Sequence, residues 1–248
     1  VAPAEISVPD EPVTVIVSKN GWVRARQGHG IDPAAIAYKA GDHALAIIES
    51  RTPWPLVVID SNGRAYTMRV SDLPGGRGDG APVSTLIEFQ EGGKLAQVVS
   101  DAPESRWLFA NSGGYGFICA LADASSRQRG GKAFMTLEKG EKPLAPARVQ
   151  GHWIAAVSEN ARILLFPLTE MKVQSGGRGV IVMALDDGET MRAVAVPGDD
   201  AALTVSGQMR GGKAAEIEIK PAQRSALQHR RARKGTPLAK KLVPDALR

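Results

Sequence analysis

The chain has 248 residues, of which 43% are hydrophobic and 23% charged, with a net charge of +5 and an isoelectric point near 9.4. That length can bury a sizeable core as one large domain or two small ones, and the composition is ordinary for a globular protein. The single cysteine, Cys119, excludes an internal disulfide and fits a reducing compartment. No stretch approaches the roughly 18 apolar residues of a membrane helix, and no signal-peptide pattern is present. The chain opens Val1-Ala-Pro-Ala without methionine, and it reads as a piece of a longer protein with residues 1–12 as a linker.

Charge is unevenly spread. From Arg224 to Arg248 there are eight Lys or Arg against one acid, Asp245, while the rest holds 23 basic and 25 acidic residues. A near-neutral body with a basic end suits a polyanionic partner, although a solvated basic tail would have the same composition.

In chain order, one pattern recurs five times: a short apolar run, a polar turn, and an outgoing arm. It reads Val13-Thr-Val-Ile-Val17 with Ser18-Lys-Asn-Gly21, then Leu56-Val-Val-Ile59 with Asp60-Ser-Asn-Gly63. Trp107-Leu-Phe-Ala110 precedes Asn111-Ser-Gly-Gly114, and Trp153-Ile-Ala-Ala-Val157 precedes Ser158-Glu-Asn-Ala161. The fifth copy is Ala202-Leu-Thr-Val205 with Ser206-Gly-Gln-Met209 as its turn. The turns start at 18, 60, 111, 158 and 206, at intervals of 42, 51, 47 and 48 residues. The runs have strand length and composition, and the turn residues tolerate left-handed backbone angles, so each copy predicts a β-hairpin. Arms such as Tyr115, Phe117, Cys119 and Leu121, or Ala215, Ile217 and Ile219, alternate with period two. Further apolar strands lie at Ala44–Ile48, Leu95–Val99 and Met191–Val196. The expected fold is therefore all-β, a propeller-like assembly of about five four-stranded blades over residues 13–220. Residues 221–248 form a basic C-terminal segment able to complete the last blade; Ala222–Lys234 fits a short helix or a loop. None of the four tryptophans is followed by aspartate, which removes the WD repeat.

Glycine and basic residues recur after the outgoing arms: Arg24-Ala-Arg-Gln-Gly-His-Gly30, Pro74-Gly-Gly-Arg-Gly-Asp-Gly80, Arg127-Gln-Arg-Gly-Gly-Lys132, Gln174-Ser-Gly-Gly-Arg-Gly179 and Arg230-Arg-Ala-Arg-Lys-Gly235. Glycine lets a backbone approach a surface closely, and arginine is a planar bidentate phosphate donor. A lone loop of this kind is usually a solvated turn, but recurrence in successive repeats points to a basic track for duplex DNA, held mainly at phosphates. The expected contacts are Arg77, Arg127, Arg129, Lys132 and Arg178, then Arg24, Arg26 and Arg64, with Arg231, Arg233 and Lys234 in the basic segment.

Other chemistry finds little support. Gly207-Gln-Met-Arg-Gly-Gly-Lys-Ala214 falls one residue short of a phosphate-binding loop and has Ala214 where a magnesium-binding hydroxyl belongs. His29, His43, His152 and His229 stand apart, without metal-ligand spacing. The aromatic residues are read as packing between blades, with Trp22, beside Arg24, fitting that reading least well.

The segments Val13–Arg24, Tyr38-Lys-Ala-Gly-Asp42, Asp60–Tyr66, Gly113-Gly-Tyr-Gly-Phe117 and Arg162-Ile-Leu-Leu-Phe-Pro167 resemble the C-terminal domain of the ParC protein of bacterial topoisomerase IV. The resemblance runs from Val13 past Lys220. It implies a β-pinwheel whose blades exchange strands, and a domain that binds and bends DNA beside the cleavage core of an ATP-dependent type IIA topoisomerase, in chromosome segregation. It implies as partners the rest of the ParC protein, the ATPase protein ParE and chromosome-structure proteins, in the cytoplasm at the nucleoid; it is compatible with peripheral membrane association of the holoenzyme. ATP and Mg²⁺ would act through other domains, with no cofactor or metal in this one. The related GyrA protein of gyrase carries a box reading Gln-Arg-Arg-Gly-Gly-Lys-Gly. Here Arg127, Gln128, Arg129, Gly130, Gly131 and Lys132 exchange the first two positions, and Ala133 replaces the last glycine. The degenerate box favours bending over gyrase-like wrapping. Tyr38, Tyr66 and Tyr115 follow Ala37, Ala65 and Gly114, so none matches the family's arginine–tyrosine cleavage pair and no catalytic residue is expected. The competing reading is a propeller-type protein-interaction scaffold.

Overall fold

The computed structural model describes residues 7–248; the first half of the expected 1–12 linker lies outside the described residues. Every repeat opens with a hairpin. β1 (Pro12–Ser18) and β2 (Trp22–Gln27) are followed by β3 (Ala44–Arg51), and β4 (Pro55–Asp60) and β5 (Arg64–Arg69) by β6 (Ala81–Pro82) and β7 (Leu95–Ser100). The third repeat supplies β8 (Arg106–Ala110), β9 (Tyr115–Ala120), β10 (Lys132–Ala133) and β11 (Ala147–Arg148). The fourth has β12 (Trp153–Ser158), β13 (Arg162–Pro167), β14 (Val180–Ile181) and β15 (Met191–Ala195), and the fifth β16 (Leu203–Gln208), β17 (Ala214–Ile219), β18 (Thr236–Pro237) and β19 (Val243–Leu247).

The sheets run β3-β1-β2-β6, β7-β4-β5-β10, β11-β8-β9-β14, β15-β12-β13-β18 and β19-β16-β17. Each blade is thus a hairpin, its own closing strand, and (in all but the last) a two-residue strand lent by the next repeat. The fold is an all-β five-bladed propeller of the pinwheel kind; among the described residues four blades have four strands and the fifth three.

Local chemistry at the turns explains why the hairpins form. Ser18 Oγ accepts the Trp22 N–H at 3.0 Å, Asp60 Oδ1 that of Arg64 at 3.0 Å, and Asn111 Oδ1 that of Gly113 at 2.8 Å. These side chains satisfy donors that the reversing backbone cannot. Asp60 also accepts the Tyr66 hydroxyl at 2.7 Å, and burial pushes that phenol's pKa up. A register shift recurs at Val17/Ser18, Ile59/Asp60 and Val157/Ser158, where the closing strand meets the turn.

The fifth hairpin departs from the sequence reading. Ser206, Gly207 and Gln208 belong to β16 and pair with Glu216, Ala215 and Ala214; the turn is Met209–Lys213, where Gly211 and Gly212 take φ of +88° and +80°. Over Ala222–Lys234, where the sequence allowed a short helix or a loop, the structure has a 3₁₀ segment, Pro221–Leu227, followed by loop.

The chain divides into two compact units. One runs through Asp60 and takes in Arg64–Pro103 and Ser125–Lys132; the other comprises Ser61–Gly63, Glu104–Ala124 and Ala133–Arg248. The first is built on Val15, Val23, Leu56, Val58 and Tyr66. In the second, the fourth blade is apolar on both faces. Ile154, Ala156, Leu164 and Phe166 pack with Leu108 and Val182, while Ala155, Val157, Ile163 and Leu165 pack with Leu203 and Val205. Burial on both faces is why the incoming runs are continuously apolar rather than alternating.

Candidate nucleic-acid interface

Four of the five glycine-basic loops, all but Arg24–Gly30, end on a strand lent to the preceding blade, and the last glycine of each is fixed by that crossing. Gly80, Gly131, Gly179 and Gly235 have φ of +84°, +64°, +80° and +80° and immediately precede β6, β10, β14 and β18. A Cβ on them would come within 2.2, 2.4, 1.9 and 2.3 Å of the carbonyl oxygens of Val23, Ala65, Gly116 and Ile163. Those acceptors are the second residues of β2, β5, β9 and β13. These glycines therefore serve strand exchange within the protein, a role that their recurrence in sequence did not separate from phosphate approach.

The cations ahead of them divide into two groups. Several hold the loops in place. Arg24 is buried, and its guanidinium donates to the Gly78 carbonyl and, at 2.5 Å, to that of Ala37. Arg26 is half-buried under the loop, for a Cβ on Gly76 would stand 2.1 Å from its Cγ. Arg64 donates from Nη2 to the Gly130 carbonyl at 2.7 Å. Arg178 lies 3.9 Å over the Tyr115 ring, bonds Glu141 and faces Glu138 at 3.7 Å. Burial opposes its charge, but the two carboxylates overcome that and hold its pKa above the usual value. Arg231 donates from Nη1 to the Ile181 carbonyl at 2.7 Å, and Lys234 pairs with Asp186. Lys132 is half-buried at the start of β10.

The others face outward. Arg77, Arg127 and Arg233 are exposed, as is Arg129, whose Nη2 makes one 3.3 Å bond to the Thr85 carbonyl. Arg230, outside the expected set, is also exposed and lines an open groove of about 490 Å³ with Arg233. Comparable grooves of about 850 and 260 Å³ lie beside Arg77 and beside Arg127 and Arg129. Lys39 Nζ stands 4.0 Å over the ring of Trp22, which is half-buried like the other three tryptophans. Among the described residues no group of three His, Cys, Asp or Glu could hold a metal, and no helix is long and apolar enough to cross a membrane.

Strand exchange at every acceptor but the last, with a basic loop ahead of each lent strand, is the architecture of a type IIA topoisomerase C-terminal domain. The family model described as "DNA gyrase C-terminal domain, beta-propeller" matches residues 106–145 and 152–197. The ParC-type protein of DNA topoisomerase 4 from Neisseria gonorrhoeae is 39% identical over 214 residues, covering 82% of this chain and 27% of that protein. Its counterpart from Escherichia coli K12 is 30% identical over 237 residues, covering 92% and 31%. The solved structure of the E. coli ParC C-terminal domain superposes with a TM-score of 0.79 at 27% identity, over 96% of this chain and 98% of that one. The chain belongs to the family of C-terminal β-propeller domains of the topoisomerase IV protein ParC, related to those of the gyrase protein GyrA. It spans about a third or less of the length of the curated relatives it matches.

Proposed function

We propose that this domain binds duplex DNA without reading its sequence and bends it, as the accessory domain of an ATP-dependent type IIA topoisomerase. Its role is to guide DNA crossings into decatenation and supercoil relaxation during chromosome segregation. The observation that carries this reading is positional. Arg77, Arg127 with Arg129, and Arg230 with Arg233 stand exposed just ahead of the lent strand in three different repeats. Arginine in that setting is a phosphate donor, and phosphate contact positions a duplex without specifying bases. Arg24, Arg26, Arg64, Arg178 and Arg231 support the loops from beneath, the exposed Lys234 ties its loop to Asp186, and Lys132 contributes from the edge of β10. The full-length protein would work with an ATPase partner, which supplies the ATP and Mg²⁺ chemistry, in the cytoplasm at the nucleoid.

Five phosphate contacts give a slope of log affinity against log salt of about −4 to −5 on a duplex. Binding of that kind can offset a bend costing on the order of 1–6 kcal/mol. The test is duplex binding by this chain across a salt series, with a short and a long duplex of unrelated sequences. Steep salt dependence, little sequence preference and tighter binding of the long duplex are expected. A flat salt response, or no binding at low salt, overturns the reading.

A further inference from the structure

Among the described residues, four outgoing strands carry a lent neighbour and the fifth does not. The four lent segments share one construction: a left-handed glycine against a carbonyl of the accepting strand, a two-residue strand, then an anchor whose N–H bonds the turn, three residues after the glycine in three of them and four in the segment where Phe134 intervenes. The anchors Val83, Met135, Val182 and Leu238 donate to the carbonyls of Gly21, Gly63, Gly114 and Ala161 at 2.8, 2.8, 2.7 and 2.8 Å. The first three anchors are buried, and Leu238 is half-buried against the apolar cluster of its blade. Basic residues lie within two positions of the glycine in three of the segments: Arg129, Arg178, and Arg233 with Lys234.

The fifth hairpin builds the same acceptor and leaves it bare. The Lys213 carbonyl takes the Met209 N–H at 2.8 Å, so the strand alternation turns the backbone groups of Ala214, Glu216 and Glu218 away from β16. Among the described residues no strand pairs with that edge. Gly212, at φ +80°, is exposed, whereas Gly21, Gly63 and Gly114 are buried under their lent segments. Ile217 is half-buried beside the edge, against a cluster containing Leu203, Val205 and Ile219. An open edge of this length is a template for strand addition, and an extended peptide can supply the missing bonds. Both Glu216 and Glu218 are exposed; Glu216 is bonded to Arg248 Nη2 at 2.9 Å, and Glu218 is the carboxylate open to a basic segment. A second copy of β17 would bring carboxylates opposite carboxylates, which is destabilising, whereas a basic segment meets the opposite charge.

We propose that the outer edge of β17 takes up an extended segment of another protein, one with Lys or Arg just ahead of a glycine and an apolar residue three positions behind it. That segment would seat as the chain's own loops seat on the other four blades.

The probe is a labelled synthetic peptide with the sequence of residues 230–240, titrated into this chain, with binding read by fluorescence anisotropy and hydrogen exchange. Saturable binding with new protection of the Ala214, Glu216 and Glu218 amides is expected. Glu216→Pro removes one outward N–H without touching the backbone bonds to β16, though it also removes the side-chain contacts of Glu216 to Ser206 and Arg248; proline is tolerated on the solvent side of an edge. It should weaken binding about tenfold or more, as should Leu238→Asp in the peptide. Glu216→Lys combined with Glu218→Lys provides a second variant that keeps every backbone donor, and it should weaken binding similarly. Absence of protection at those amides under saturating peptide overturns the proposal. So does protection at β13 instead, or a dimer of the chain that Glu216→Pro dissolves, which would assign the edge to a second copy.

Discussion

Gly179 lies so close to Gly116 that a Cβ on it would stand 1.9 Å from the Gly116 carbonyl oxygen. Both residues are glycine at one crossing, where β14 leaves its own repeat to pair with β9 through Val180↔Gly116 and Ile181↔Tyr115. A Cβ on Gly116 would itself meet the Phe109 carbonyl at 2.8 Å, so neither side of the crossing has room to yield.

Gly179→Ala therefore combines a left-handed backbone with a backbone clash, and Gly188→Ala separates the two effects. Gly188 has φ +74° with nothing within 4 Å of a Cβ. Its alanine variant should lose only the conformational cost, about 1–2 kcal/mol. Gly179→Ala should lose that plus the displacement of β14, together more than about 3 kcal/mol. Denaturant unfolding of both variants checks the ranking, and equal losses would mean that the crossing relaxes freely.

Ala161 occupies at φ +59° the turn position that Gly21, Gly63 and Gly114 fill at +88°, +85° and +87°. Its carbonyl accepts the Leu238 N–H at 2.8 Å, which keeps the turn in this conformation despite the side chain. Ala161→Gly should stabilise the chain by about 0.5–1 kcal/mol, relief of the left-handed cost less the entropy glycine adds to the unfolded state. The measurement is the denaturation midpoint at constant m-value; an unchanged or lowered midpoint counts against a strained turn.

Much of the fold was legible because the first four incoming runs are buried on both faces and end in turns with their own local hydrogen bonds. The lent strands were not, since two residues such as Val180–Ile181 carry no periodicity. The misplaced fifth turn has a long-range cause. Ser206-Gly-Gln looks like a turn, yet Gly207 is small because β19 passes over it; a Cβ there would meet the Val243 carbonyl at 2.1 Å. Among the cations, position was readable and accessibility was not. Whether Arg24 or Arg77 reaches solvent depends on carbonyls at Ala37 and Gly78, which sequence spacing does not place.

The Asp186–Lys234 pair gives one loop a pH dependence. Lys234, first by hydrogen bond and then by charge, holds the Asp186 carboxyl below its ordinary 3.8. A depressed folded pKa means that the contribution is fully present above 3.8 and is lost as pH falls through the lower folded value. Attachment of the Arg230–Gly235 loop should thus be constant at neutral pH and loosen only in strong acid. Carboxyl titration by NMR should place the Asp186 midpoint below 3.8, and Lys234→Met should move it back up. A midpoint indifferent to Lys234 would remove this tether from the account.

The division of the arginines into loop supports and outward groups predicts two distinct phenotypes. Arg24→Ala strips donors from the carbonyls of Gly78 and Ala37 in a buried setting, and should cost about 1–3 kcal/mol of stability. Arg77→Ala touches an exposed side chain and should change stability by less than about 0.5 kcal/mol. On a duplex the order reverses: Arg77→Ala should reduce the salt slope by about 1, and Arg127→Ala with Arg129→Ala by about 2, equally for unrelated sequences. With Arg24→Ala, any loss of DNA affinity should instead track loss of the folded fraction and leave the slope unchanged. If Arg77→Ala leaves both affinity and slope intact while Arg24→Ala lowers the slope at full folding, the outward group has been drawn around the wrong residues.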